Sequence, residues 1–90
     1  VDIDWEYPVS GGLATNTYRP EDKANYVLLV KEIREHLDLL EATDGIDGKD
    51  YLLTIAAPAG YDKIANYDLG GMAQYLDWFN VMSYDLYGAW

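Results

Sequence analysis

Apolar and acidic positions alternate at the start of the chain: Val1, Ile3 and Trp5 are apolar, and Asp2, Asp4 and Glu6 interleave with them. Successive side chains of a strand point to opposite faces, so this pattern predicts a strand with three carboxylates on one face and three apolar groups on the other. Pro8 has no N–H to give to a ladder and stops it. Residues 9–19 (VSGGLATNTYR) carry the Gly, Ser, Thr and Asn of a loop. That loop exceeds the usual strand-to-helix connection of about 2 to 6 residues, and loops of such length often wall a binding site.

Pro20, Glu21 and Asp22 read as a first helical turn, since Pro is tolerated there and acids match the positive end of the helix dipole. Tyr26, Val30, Ile33, Leu37 and Leu40 then recur at steps of four and three, forming one apolar stripe that Val27 and Leu29 widen. Lys31 with Glu35 and Arg34 with Asp38 are opposite charges four apart, the mark of a solvated face. Residues 42–50, with two Asp-Gly pairs, end the helix in a connecting turn. Their acids Asp44, Asp47 and Asp50 lack the alternation and closing Glu of a calcium loop.

Residues 51–57 (YLLTIAA), short, apolar and stopped by Pro58, predict a strand buried on both faces of a parallel sheet. Residues 58–67 read as a loop, and Asp68 as the cap of a short helix over residues 69–76 weakened by Gly70 and Gly71. Residues 78–84 (WFNVMSY) read as a third strand, with Asn80, Met82 and Tyr84 on one face and Phe79 and Val81 on the other.

Strand, helix, strand, helix, strand implies parallel strands joined by right-handed crossovers. Three such strands leave unpaired edges, whereas an eight-stranded α/β barrel of roughly 250 residues closes on itself. The chain is therefore expected to be α/β, a slice of a TIM (β/α)8 barrel, with residues 1–90 forming part of one domain and no second domain. Catalytic groups of such barrels sit at the C-terminal strand ends. Here those ends are Glu6, then Ala56 to Pro58, then Tyr84 and Asp85.

Composition narrows the function. Half of the residues are hydrophobic and 24% are charged, as in globular proteins. The net charge of −10 repels phosphate backbones and anionic lipid, which argues against nucleic acid and membrane partners. No cysteine is present, so neither disulfides nor thiolate metal sites are expected. The chain starts with Val1 inside a predicted strand, which suggests a piece of a longer protein. The three opening acids, roughly 6 to 7 Å apart at about 3.3 Å per residue, repel one another and favour a retained proton on at least one. A carboxyl so raised from about 4.3 can act as a general acid near neutral pH.

VDIDWEYP resembles the signature of glycoside hydrolase family 18, the chitinases and their relatives, whose pattern is Asp-x-x-Asp-x-Asp-x-Glu. Asp2, Asp4 and Glu6 fit its last three acids, and the first would lie two residues before Val1. The family's Met-x-Tyr-Asp is matched by Met82, Tyr84 and Asp85, and Trp90 falls where the family has a sugar-stacking tryptophan. The resemblance covers essentially the whole chain, as strands four to six of the barrel. It implies retaining hydrolysis of β-1,4-linked N-acetylglucosamine polymers in which the substrate supplies its own nucleophile. Glu6 would be the general acid, Asp4 would hold the acetamide N–H, Tyr84 the acetamide oxygen, and Asp2 would tune Asp4.

Under this likeness Tyr7, Tyr87 and Trp90, just past strand ends, are expected to touch sugar together with Asp85, while Trp5 and Trp78 are expected in the core. Met82 is divided between pocket floor and barrel filling, and His36 is expected to be solvated without a role. The expected partner is chitin or its oligosaccharides, acted on by a monomer that needs no metal or organic cofactor and, by resemblance, is secreted. Three alternatives accompany this reading: a chitin-binding lectin of the same fold, an endo-β-N-acetylglucosaminidase acting on N-glycans, and a solvated edge strand with no chemistry. A metal hydrolase built on Asp2 and Asp4 lacks any accompanying histidine.

Overall fold

The computed structural model describes residues 1–43 and 50–83. Three parallel strands, β1 (Asp2–Ile3), β2 (Thr54–Pro58) and β3 (Trp78–Met82), form one sheet in the order β1-β2-β3. The long helix α1 (Asp22–Thr43) connects β1 to β2, and two short helices, α2 (Tyr61–Ile64) and α3 (Leu69–Ala73), connect β2 to β3. The register aligns Asp2 with Thr54 and Thr54 with Trp78, then Ile3 with Ile55 and Ile55 with Phe79. Alternation therefore gives the sheet two chemically distinct faces.

One face is apolar and covered. Tyr26 and Val30 of α1 pack with Leu53, Ile55, Tyr67 and Met72 in a buried cluster, and Ile3, Ile33, Leu37 and Phe79 press against it. The helical stripe of the sequence is real, but only as far as Leu37: Leu29 and Leu40 are exposed. The other face carries Asp2, Thr54, Trp78 and Asn80, and at the two outer strands it is open. Trp78, expected in the core, is 50% exposed there, because nothing among the described residues covers that edge. Val81, at 60% exposure, shows the same edge from the opposite face.

Several boundaries differ from the expected ones. The opening strand ends at Ile3 rather than at Glu6. Helix α1 starts at Asp22, two residues after the predicted Pro20. The reason is Asp22 itself, a buried carboxylate whose Oδ2 accepts the backbone N–H groups of Arg19 (2.8 Å) and Val9 (3.2 Å), tying both ends of the long loop to the helix start. The predicted loop over residues 58–67 contains α2, whose four residues are too few to display a period. Asp68 caps α3 as expected, its Oδ1 accepting Gly71 N–H at 2.9 Å, although the helix is only five residues long.

Arg34 is not part of a solvated face. Its guanidinium, largely buried, meets Asp38 (2.8 Å), Glu41 (3.0 Å) and Asp77 (3.5 Å), and donates to the Tyr51 carbonyl at 2.9 Å. Glu41 accepts Tyr51 N–H, and Asp77 accepts Leu53 N–H, so one side chain knits α1 to the entry of β2 and to the segment before β3. His36 is exposed, with its Nε2 3.1 Å from Glu32 Oε1 on the same helix. The predicted turn's acids Asp44 and Asp47 lie outside the described residues.

Candidate active site

Beyond Ile3 the chain leaves the ladder, and the backbone carbonyls it frees find side chains instead. Trp5 C=O accepts the Tyr67 hydroxyl at 3.1 Å, and Glu6 C=O accepts Asn16 Nδ2 at 2.9 Å. The Glu6–Tyr7 peptide is cis. This departure from the strand also ends the strict alternation of faces: residues 4, 5, 6 and 7 all line one cleft of about 750 Å³. The opposite wall is the long loop, through Gly12, Leu13, Asn16 and Thr17, so its unusual length does wall a cavity.

The loop lies close against the site because glycine permits it. Gly12 has φ +81°, and a Cβ there would strike the Glu6 carbonyl oxygen and come within 2.7 Å of Asn16 Nδ2. Gly11 has φ +93°, and a Cβ there would meet the ammonium of Lys63. That ammonium sits 5.5 Å from the Tyr7 ring centroid, a cation–π contact across which the α2 segment reaches the cleft.

The structure brings together some of the expected site residues and separates others. Asp4, Glu6 and Tyr7 share the cleft, with Asp4 exposed and Glu6 and Tyr7 half-buried. Trp5 lines it too, while its ring packs 4.9 Å from that of Tyr26, so it belongs to the core and to the cleft wall at once. Asp2 lies further back along the sheet and does not line the cleft. Its Oδ1 accepts Thr54 Oγ1 at 2.8 Å and Asn80 Nδ2 at 3.4 Å, one donor from each of the other two strands. Met82 is half-buried at the end of β3 opposite Pro58 and is not in the cleft wall. Tyr84, Asp85, Tyr87 and Trp90 lie outside the described residues.

Thr54, Asn16 and Tyr67 went unnoticed in the sequence. Thr54 had a signal, being the one aliphatic hydroxyl in the otherwise apolar stretch 51–57, and register sets it beside Asp2. Asn16 and Tyr67 had none, because only the tertiary fold brings their side chains to residues 5 and 6.

Two buried phenols border the carboxylates. Tyr26 and Tyr67 both have ionisation pushed well above the ordinary tyrosine range. Burial is the main cause for each, with added repulsion from Asp4 and Asp2 at Tyr26, and from Tyr26, Tyr7, Glu6 and Asp4 at Tyr67. Both rings therefore stay neutral, and the Tyr67 hydroxyl stays a donor, at any ordinary pH. No cluster of metal-ligating side chains occurs among the described residues.

The family model for glycosyl hydrolases family 18 matches residues 1–90. Chitinase A1 of Niallia circulans is 57% identical over 90 residues, covering 100% of this chain and 12% of that protein. Chitinase A of Pseudoalteromonas piscicida is 46% identical over 91 residues, covering 100% of this chain and 11% of that protein. Among solved structures, chitinase ChiW from Paenibacillus sp. str. FPU-7 matches with a TM-score of 0.88 at 45% identity, over 99% of this chain and 8% of that one. The chain thus spans only a small part of the length of these relatives. Chitinases of this family have the TIM-barrel fold, with which the parallel three-stranded α/β sheet agrees.

Proposed function

The chain belongs to glycosyl hydrolase family 18, and from that premise we propose that it supplies the acid-bearing part of a chitinase site, cleaving β-1,4-linked N-acetylglucosamine polymers. In this reading residues 1–90 are strands four to six of one barrel domain, with Asp2, Asp4, Glu6 and Tyr84 catalytic and with Asp85, Tyr7, Tyr87 and Trp90 placed against the sugar, while Met82, away from the cleft wall, fills the barrel. The observation that carries it is the meeting of Asp4 and Glu6 in one cleft, beside the aromatic Tyr7 and under a long loop. Carboxylates and ring faces together are what a pyranose with an acetamide requires.

The chemistry follows from those positions. Protonated Glu6 gives its proton to the glycosidic oxygen as the C1–O bond breaks, and the substrate's acetamide oxygen forms a bond to C1 on the opposite face. Asp4 accepts a hydrogen bond from the acetamide N–H and stabilises the positive charge of the resulting oxazolinium ion. Water then adds to C1, passing a proton to the Glu6 carboxylate, and the ring opens with the starting configuration restored. Thr54 and Asn80 hold Asp2 behind this pair. No step calls on a metal or an organic cofactor. The protein works as a monomer, outside the cell where its polymeric substrate lies.

The complete protein tests this directly. Incubated with N-acetylglucosamine oligomers, it should release shorter oligomers whose new reducing end is first observed by NMR as the β-anomer. The same preparation should leave N-linked glycans intact. Initial α-anomer, cleavage of N-glycans alone, or binding of oligomers without any cleavage would each overturn the proposal.

A further inference from the structure

We infer that Asn16 and Tyr67 are positioning residues that fix the peptide groups on either side of Glu6 and so aim its carboxyl; the inference rests on Glu6 being the general acid. The Trp5 carbonyl belongs to the peptide entering Glu6, and the Glu6 carbonyl to the peptide leaving it. Tyr67 holds the first at 3.1 Å and Asn16 the second at 2.9 Å. In a regular strand the ladder would set those two planes, but β1 ends at Ile3, so these side chains take over that work.

The two holders come from different parts of the fold. Tyr67 lies between α2 and α3 and is 5% exposed, its ring tilted against Tyr26 at 5.8 Å, so its hydroxyl has a fixed origin. Its phenol remains protonated and donating because burial and the neighbouring carboxylates oppose ionisation. Asn16 lies on the exposed loop, but its amide is set by the turn in which Asn16 N–H bonds Leu13 C=O at 2.9 Å, and by the bare Gly12 beside it. A side chain at Gly12 would push the loop off the Glu6 carbonyl.

A general acid must stand about 2.6 to 3.2 Å from the oxygen it protonates. Losing either holder lets the Glu6 backbone rotate and weakens proton delivery without removing the carboxyl. The signature depends on the leaving group. Departure of a sugar alcohol needs the proton, whereas 4-nitrophenolate, a weakly basic anion, departs with far less need of it.

The experiment uses the complete protein with Asn16→Ala, Tyr67→Phe and Glu6→Gln, each assayed on an N-acetylglucosamine oligomer and on the matching 4-nitrophenyl glycoside. For Asn16→Ala and Tyr67→Phe we expect kcat on the oligomer to fall about tenfold or more, a loss typical of small misplacements, with KM nearly unchanged. On the aryl glycoside the loss should be markedly smaller. Asn16 is exposed and Tyr67→Phe keeps the ring, so circular dichroism should match the parent, and Asn16→Ala alone suffices should Tyr67→Phe fold poorly. Equal losses on the two substrates, or none, while Glu6→Gln abolishes oligomer cleavage, would refute the positioning role alone. Undiminished oligomer cleavage by Glu6→Gln would remove the general acid assignment and this inference with it.

Discussion

Asp2, Asp4 and Glu6 occupy alternate positions, yet the fold treats them unlike one another. Asp2 sits in the ladder, and its Oδ1 accepts hydrogen bonds from Thr54 and Asn80. Asp4 and Glu6 lie past the ladder and open onto the cleft. One is thus tied into the sheet by its neighbours, and the other two line an open cleft. On this division Asp4→Asn in the complete protein should keep oligomer binding but lower kcat by about 10² to 10³, the usual cost of a lost charge-stabilising group. Steady-state kinetics would check it, and a change confined to KM would mean that Asp4 only binds. The triad of acids was legible in the sequence because it needs nothing but period. The difference among them was not, because it depends on donors from other strands and on where β1 stops.

Among the elements, β1 shows how a short strand can carry a site. Its two paired residues fix the register, and residues 4–7, released from the ladder, can be shaped by side chains. The sequence pattern foresaw the alternating acids, the long α1, the buried β2 and the β3 face carrying Asn80. It missed the early end of β1, since Trp5-Glu6-Tyr7 is as strand-like in composition as Val1-Asp2-Ile3. It also misjudged Arg34, whose spacing to Asp38 is that of a surface pair. Only the folded chain reveals that Arg34 also reaches Glu41, Asp77 and the Tyr51 carbonyl. Because these partners leave the guanidinium largely buried, Arg34→Met in the complete protein should cost roughly 1 to 3 kcal/mol. The measurement is a thermal melt beside the parent protein; an unchanged midpoint would show that the network contributes nothing net. The cleft lies at the opposite ends of the strands, so kcat should be unaffected.

For the whole molecule, the sheet has one covered face and one open at its outer strands. Its radius of gyration is 15.0 Å, against about 12 Å for a compact domain of this length. Trp78 and Val81 are exposed at the β3 edge, where a further strand and its helix would cover them in a closed barrel. The buried cluster between α1, α3 and β2 is therefore the only core among the described residues, and a small one. Residues 1–90 produced alone should melt without a sharp two-state transition and without hydrolytic activity; a cooperative melt with one midpoint by two probes would count against the barrel-slice reading.

Whether Glu6 delivers the proton from a cleft that recognises N-acetylglucosamine is decided by Glu6→Gln in the complete protein, with oligomer hydrolysis followed by product analysis and oligomer affinity followed by calorimetry. The amide keeps the size of the side chain and removes its acidic proton, so hydrolysis should disappear while affinity stays close to that of the parent. Turnover persisting at even about a tenth of the parent rate, when a lost general acid costs about 10² or more, would contradict the assignment.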